Sequence, residues 1–235
     1  MNTNIKTPYY QYDMNLLSNT LDFAKREANK YNYKIHYALK ANSNKEILEL
    51  IKRKGYGADC VSGNEVKKAL EIGFENHEIV FAGVGKSDEE ILIGLENEIF
   101  SFNCESIQEL EVINELAFQK GKIAAISLRI NPNVNANTHH YITTGLEENK
   151  FGINMWEMES ILEKLPTLKN ITIQGLHFHI GSQVANIRDI HRALRECARH
   201  FAELTQLNVP LNTVDVGGKD RAIVGHSNVV VLAQW

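Results

Sequence analysis

A chain of 235 residues with 43% hydrophobic content can bury a sizeable core, as one large domain or two small ones. Its formal net charge of -4 is spread along the chain rather than gathered into basic blocks, so neither nucleic acid nor a membrane is indicated as a partner, and small-molecule chemistry is expected. No apolar run reaches the length of a membrane span, Met1 to Asp13 is polar, and Cys60, Cys104 and Cys197 are widely spaced without a CxxC pattern, which together point to a cytoplasmic protein with reduced thiols.

Thr7 to Tyr12 reads as an aromatic, extended strand without a nearby partner, because Pro8 disfavours helix at Thr7; a helical stretch with Leu16, Leu17, Leu21 and Ala24 follows. The chain then alternates short apolar runs with amphipathic helices: Ile35 to Lys40, Ala58 to Val61, Ile79 to Val84, Ile99 to Asn103 and Ile123 to Ile130. Such βαβα alternation predicts a parallel sheet. Four Ser-x-x-Glu pairs mark helix starts: Ser43 with Glu46, Ser62 with Glu65, Ser87 with Glu90, and Ser106 with Glu109. Gly55, Gly73 and Gly121 mark helix ends. Ile171 to Ile180 and Thr213 to Val216 are the sixth and seventh strands, flanking a helix whose apolar stripe runs through Ile187, Ile190, Leu194, Cys197, Phe201 and Leu204. Seven strands, each followed by a helix, fit a (β/α)8 barrel better than a doubly wound sheet, which periodicity alone leaves open.

In a barrel, reactive residues gather at the C-terminal strand ends, and the informative residues lie there: Lys40, Asp59 and Ser62, Arg129 and Asn131, His177 and His179, and Asp215, Gly217 and Gly218. Lys40 ends an apolar strand, where burial would lower its pKa as a Schiff-base lysine requires; a lysine that snorkels to solvent is the bland alternative. His177 and His179 share one strand face. They could hold zinc with His139 and His140, serve as hydrogen-bonded rim residues, or stack on a planar cofactor whose anionic group is held by Ser182 and by glycine backbone after strand 7.

Several ordered stretches carry a resemblance: Thr7-Pro8-Tyr9-Tyr10, Tyr37-Ala38-Leu39-Lys40-Ala41-Asn42, Gly57-Ala58-Asp59-Cys60-Val61-Ser62-Gly63 and Phe81-Ala82-Gly83-Val84-Gly85-Lys86. Further on come Leu128-Arg129-Ile130-Asn131-Pro132, Tyr141 to Leu146, Lys150-Phe151-Gly152-Ile153 and His177 to Gln183. The chain resembles the diaminopimelate decarboxylases, pyridoxal phosphate enzymes of the alanine-racemase-like fold, from about Thr7 to Gly218. The resemblance implies that Lys40 carries pyridoxal phosphate as a Schiff base, that His179 stacks on its ring, and that Ser182, Gly217 and Gly218 hold its phosphate. Arg129 would lie near the ring's phenolic oxygen and Asp59 near the Schiff base, and no metal is needed. The implied reaction converts meso-diaminopimelate to L-lysine by loss of a carboxylate, with the cofactor as electron sink.

The resemblance ends after Gly218. Lys219 stands where the family has a third glycine, and neither the family's eighth strand with its Glu-Pro-Gly-Arg loop nor its C-terminal β-domain follows. The expected division is therefore an N-terminal strand and helix over 1–33, a partial barrel of about seven strands over 34–218, and a tail unlike the family over 219–235. Val229 to Ala233 can form a strand, but the ten residues after Gly218 are barely enough for a helical crossover, so the edges of strands 1 and 7 are expected to be open. The expected consequences are an impaired decarboxylase and weak or absent dimers, since Lys150 would face a partner's β-domain. The alternatives are a pyridoxal phosphate barrel without turnover and a metal-dependent barrel hydrolase.

Overall fold

Four helix starts show how local sequence builds the shell of this protein. Ser62, Ser87 and Ser106 each accept the backbone N–H three residues on, and Ser87 with Glu90 closes a full capping box. At the first start, the cap is Asn44 rather than Ser43: its side chain accepts from Glu46 N at 3.0 Å, while Asn42 accepts from Asn44 N at 3.0 Å. Two successive Asx contacts outcompete the serine.

The computed structural model describes residues 6, 8–131, 151–179, 195–196, 198–200, 202, 204–206, 211–217 and 229–234. Helix α1 (Met14–Asn29) leads into β1 (Tyr33–Ala38), α2 (Lys45–Arg53), β2 (Gly57–Cys60), α3 (Gly63–Ile72), β3 (Ile79–Phe81), α4 (Asp88–Glu96), β4 (Ser101–Cys104), α5 (Ile107–Gln119) and β5 (Ala124–Ile130). Then come α6 (Met158–Lys164), β6 (Ile171–His179), β7 (Thr213–Gly217) and β8 (Val229–Gln234). The first seven strands are paired in sequence order and parallel, the incomplete TIM-type array expected from the alternation. Pro8 to Tyr12 forms no strand, so the expected N-terminal strand is absent among the described residues.

The tail corrects a second expectation. Residues 229–234 form β8, which runs antiparallel to both β1 and β7 and closes the barrel, so the two edges are not open. Parallel entry would have needed a long crossover, whereas an antiparallel neighbour needs only a link from one strand end to the adjacent start. Ten residues suffice for that.

Along the strands, side chains alternate between two environments. Phe102, Cys104, Ile126, Leu128, Ile130, Leu176 and Phe178 pack in one apolar cluster with Leu48, Ile51, Val66, Ile91, Leu110 and Ile113 of the helices. The intervening residues Asp59, Ser101, Asn103, Ser127, Arg129, His177 and Asp215 are buried and polar. They contact one another inside the barrel: Asn103 on β4 donates across it to Asp215 on β7 at 2.8 Å, and the hydroxyls of Ser101 and Ser127 on the neighbouring strands β4 and β5 lie 2.9 Å apart. Barrel interiors are commonly filled with branched aliphatic residues. A polar interior instead supplies a site with fixed dipoles.

Candidate active site at the barrel mouth

Lys40 follows β1 in the single 3-10 turn Leu39–Ala41 and is exposed, so the burial expected for it is corrected: the strand stops at Ala38, and Leu39 is the last core residue. Its loop is tied down by Tyr37 Oη donating to the Asn42 carbonyl at 3.3 Å and by Asn42 Nδ2 donating to Tyr12 Oη at 3.1 Å.

Facing the lysine, Asp59 on β2 is buried, and that burial pushes its carboxyl up to about 7, opposed by the cations of Lys40 and Arg129. His179 is half-buried at the end of β6; burial, then Arg129 and Lys40, lowers its pKa to about 3 and keeps the imidazole neutral. His177 beneath it is buried, and burial lowers its pKa well below the ordinary histidine value. Arg129, His177 and Asp215 are register partners on β5, β6 and β7, so one row of the barrel carries all three. Burial also drives the Asp215 carboxyl well above the usual range, with Asp59 adding to the effect.

Gly217 sits against both imidazoles: a Cβ there would lie 2.8 Å from His179 Nδ1 and 3.0 Å from His177 Nε2. The glycine is needed for space, and it stands beside the two rings at the mouth. Of the expected site residues, Lys40, Asp59, Arg129, His179 and Gly217 are thus brought to one end of the barrel; Ser182 and Gly218 lie outside the described residues. So do Lys150, His139 and His140. Among the described residues, no three His, Cys, Asp or Glu side chains come together to hold a metal ion.

Four residues escaped the reading from sequence. Lys86, whose side chain is only 1% exposed, donates to the carbonyls of Gly83 (2.9 Å) and Asn103 (2.8 Å) and to Glu109 Oε1 (2.7 Å). Glu109 Oε2 accepts from Glu105 N at 2.7 Å, and Glu105 in turn pairs with Arg129. Glu109 was legible only as a helix-cap partner, and it gives its two oxygens to Lys86 and Glu105 rather than to Ser106. Asn103 anchors Asp215. The contacts that tie them into the barrel, Lys86 with Asn103 and Glu109 and Asn103 with Asp215, span 17 to 112 residues in sequence, so no local pattern announces them.

These residues fit a planar, anionic, aldehyde-bearing group. Lys40 offers an accessible amine, His179 a neutral ring for stacking, Arg129 a fixed cation, and Gly217 the absence of a side chain beside the rings.

Residues 17–219 match the family described as pyridoxal-dependent decarboxylase, pyridoxal binding domain. The diaminopimelate decarboxylase of Bacteroides thetaiotaomicron is 47% identical over 225 residues, which cover 95% of this chain and 58% of that protein. That of Aquifex aeolicus is 40% identical, covering 90% and 50%. The crystal structure of the Helicobacter pylori diaminopimelate decarboxylase complexed with L-lysine superposes with a TM-score of 0.84 at 40% identity, over 89% of this chain and 53% of that one. The chain spans about half the length of these relatives. With the barrel fold and these similarities in agreement, the chain belongs to the pyridoxal-dependent decarboxylases, and its barrel strands β1 to β7 lie within the stretch that matches their pyridoxal-binding domain.

Proposed function

We propose that this chain supplies the cofactor-binding barrel of a diaminopimelate decarboxylase, with Lys40 as the residue that bonds pyridoxal phosphate and meso-diaminopimelate as the substrate of the full-length family. The observation that carries the reading is the meeting of an accessible Lys40, a neutral His179 and a side-chain-free Gly217 at one barrel mouth. When bound, the cofactor supplies an electron sink for the charge left as a carboxylate departs. Asp59, with its carboxyl near 7, can hold or release a proton beside the Lys40 amine at neutral pH. Arg129 would offer positive charge to an anionic group of the cofactor, and the uncharged imidazole of His179 would offer a flat face for its ring. Ser182 and Gly218 are assigned to the phosphate by family resemblance.

The relatives' names support the substrate, and the L-lysine held by the Helicobacter pylori enzyme supports the product. A cytoplasmic location belongs to the same reading, as do weak or absent dimers of this chain, in contrast to the homodimer of the family it resembles, and the division into 1–33, 34–218 and 219–235. Because β8 is antiparallel, it brings its first residue rather than its last to the mouth, where a parallel strand would place its C-terminal loop. We therefore expect cofactor capture without enzyme-like turnover by these 235 residues. The test is borohydride reduction of the chain loaded with pyridoxal phosphate, followed by peptide mapping, alongside carbon dioxide release from meso-diaminopimelate. Label on Lys40 and release no faster than in Lys40→Ala are expected; label on Lys86 with Lys40 unmodified would sink the assignment.

A further inference from the structure

We infer that Glu105 is a positioning residue for Arg129, coupling a buried structural ion network to the cation that faces the site; the inference rests on the cofactor reading above for its consequence, though not for its geometry. Arg129 leaves β5 with a long side chain that would ordinarily sample many rotamers. Here it is clamped. One guanidinium nitrogen pairs with Glu105 Oε1, the Phe151 ring lies 5.5 Å from its Cζ, and both members of the pair are about nine-tenths buried.

Glu105 is itself held from behind. Its backbone N–H is bound by Glu109, whose other oxygen takes Lys86, and Lys86 spends its remaining donors on the Gly83 and Asn103 carbonyls. The network joins the loop after β3, the end of β4, helix α5 and the end of β5, and its four charges sum to zero. Every polar atom of Lys86 and Glu109 in it has a structural partner. Glu105 Oε2 is different: it is buried and finds no partner among the described residues. A buried carboxylate oxygen without a donor is costly, and the geometry that relieves it is a two-pronged contact with the Arg129 fork. Among the described residues, Glu105 is thus the side-chain link between the saturated half of the network and the cation at the mouth.

Glu105→Gln removes the charge at nearly constant shape, and Glu105→Asp keeps the charge but withdraws it by one carbon. Two readouts apply to the full chain. The rate at which phenylglyoxal modifies Arg129, followed by peptide mass, needs no cofactor. We expect Glu105→Gln to raise it about tenfold by freeing the guanidinium, with Glu105→Asp intermediate. The affinity for pyridoxal phosphate, read by absorbance, should fall about tenfold in Glu105→Gln, with no further loss when that change is added to Arg129→Gln. Unchanged Arg129 reactivity in both variants overturns the inference, as do additive losses in the double variant. If Glu105→Gln does not unfold cooperatively, Glu105→Asp alone decides by the same criteria. Failure of the unmodified chain to take up pyridoxal phosphate overturns the functional reading, while the phenylglyoxal rates still decide the role of Glu105.

Discussion

Two lysines follow barrel strands in this protein, Lys40 after β1 and Lys86 after β3, and the structure gives them opposite fates. Lys40 is exposed at the mouth. Lys86 is buried, lies 5.3 Å from the centre of the Phe81 ring, and donates to three acceptors, one of them a carboxylate. An ammonium has three N–H donors, so Lys86 has none left, and its deprotonation would strand Glu109. A nucleophile needs access and a nitrogen not committed to structural contacts, and of the two lysines only Lys40 is exposed. The comparison teaches that burial near a site identifies the structural lysine here, and that a full count of hydrogen bonds separates scaffold from chemistry.

The largest expected effect sharpens that contrast. Lys86→Met should cost about 3–5 kcal/mol, because it leaves a mostly buried carboxylate and two carbonyls uncompensated, whereas Lys40→Met should change stability by no more than about 0.5 kcal/mol. Urea unfolding of the two variants measures both; equal losses would break the distinction.

Asp59, beside the exposed lysine, gives the next effect. Burial raises its carboxyl from 3.8 to about 7, so between those values the folded chain holds a proton that the unfolded chain has lost. Its contribution to stability is therefore full below about pH 4 and is lost as pH rises through about 7. His36 and His179, both lowered to about 3, act oppositely: their contribution is present above the ordinary histidine value and is lost as pH falls. Asp59→Asn should consequently gain on the parent as pH rises from 4 to 8, by at most about 4 kcal/mol. Parallel stability curves for the two proteins across that range would remove the buried-acid account.

The smallest effect tests the space beside the imidazoles. Gly217→Ala places a methyl 2.8 Å from His179 Nδ1 and should cost about 1–3 kcal/mol as the rings shift. Histidine ring resonances should move with it, and unchanged resonances would show that the two rings do not depend on that gap.

Much of the site was legible because strand periodicity is short-ranged. His177 and His179 two apart predict a shared face, and Asp215 and Gly217 repeat the pattern on the next strand, in register with them. The caps at Ser62, Ser87 and Ser106 were readable for the same reason, since each contact spans three residues. Ser43 was misread because Asn42 and Asn44 offer competing local acceptors that a Ser-x-x-Glu pattern ignores.

By itself, the sequence determined the succession of strands and helices, the polar and apolar faces of each strand, and the presence of a lysine, an acid, an arginine and two histidines at strand ends. These follow from backbone geometry with periods of two and 3.6 residues, which neighbouring side chains reveal directly. Only the tertiary structure decided that Lys40 is exposed while Lys86 is saturated, that Glu105 holds Arg129, and that β8 enters antiparallel. Each of those outcomes depends on partners far apart in sequence, and whether a charge is satisfied or a sheet edge covered is settled only when the closed barrel brings them together.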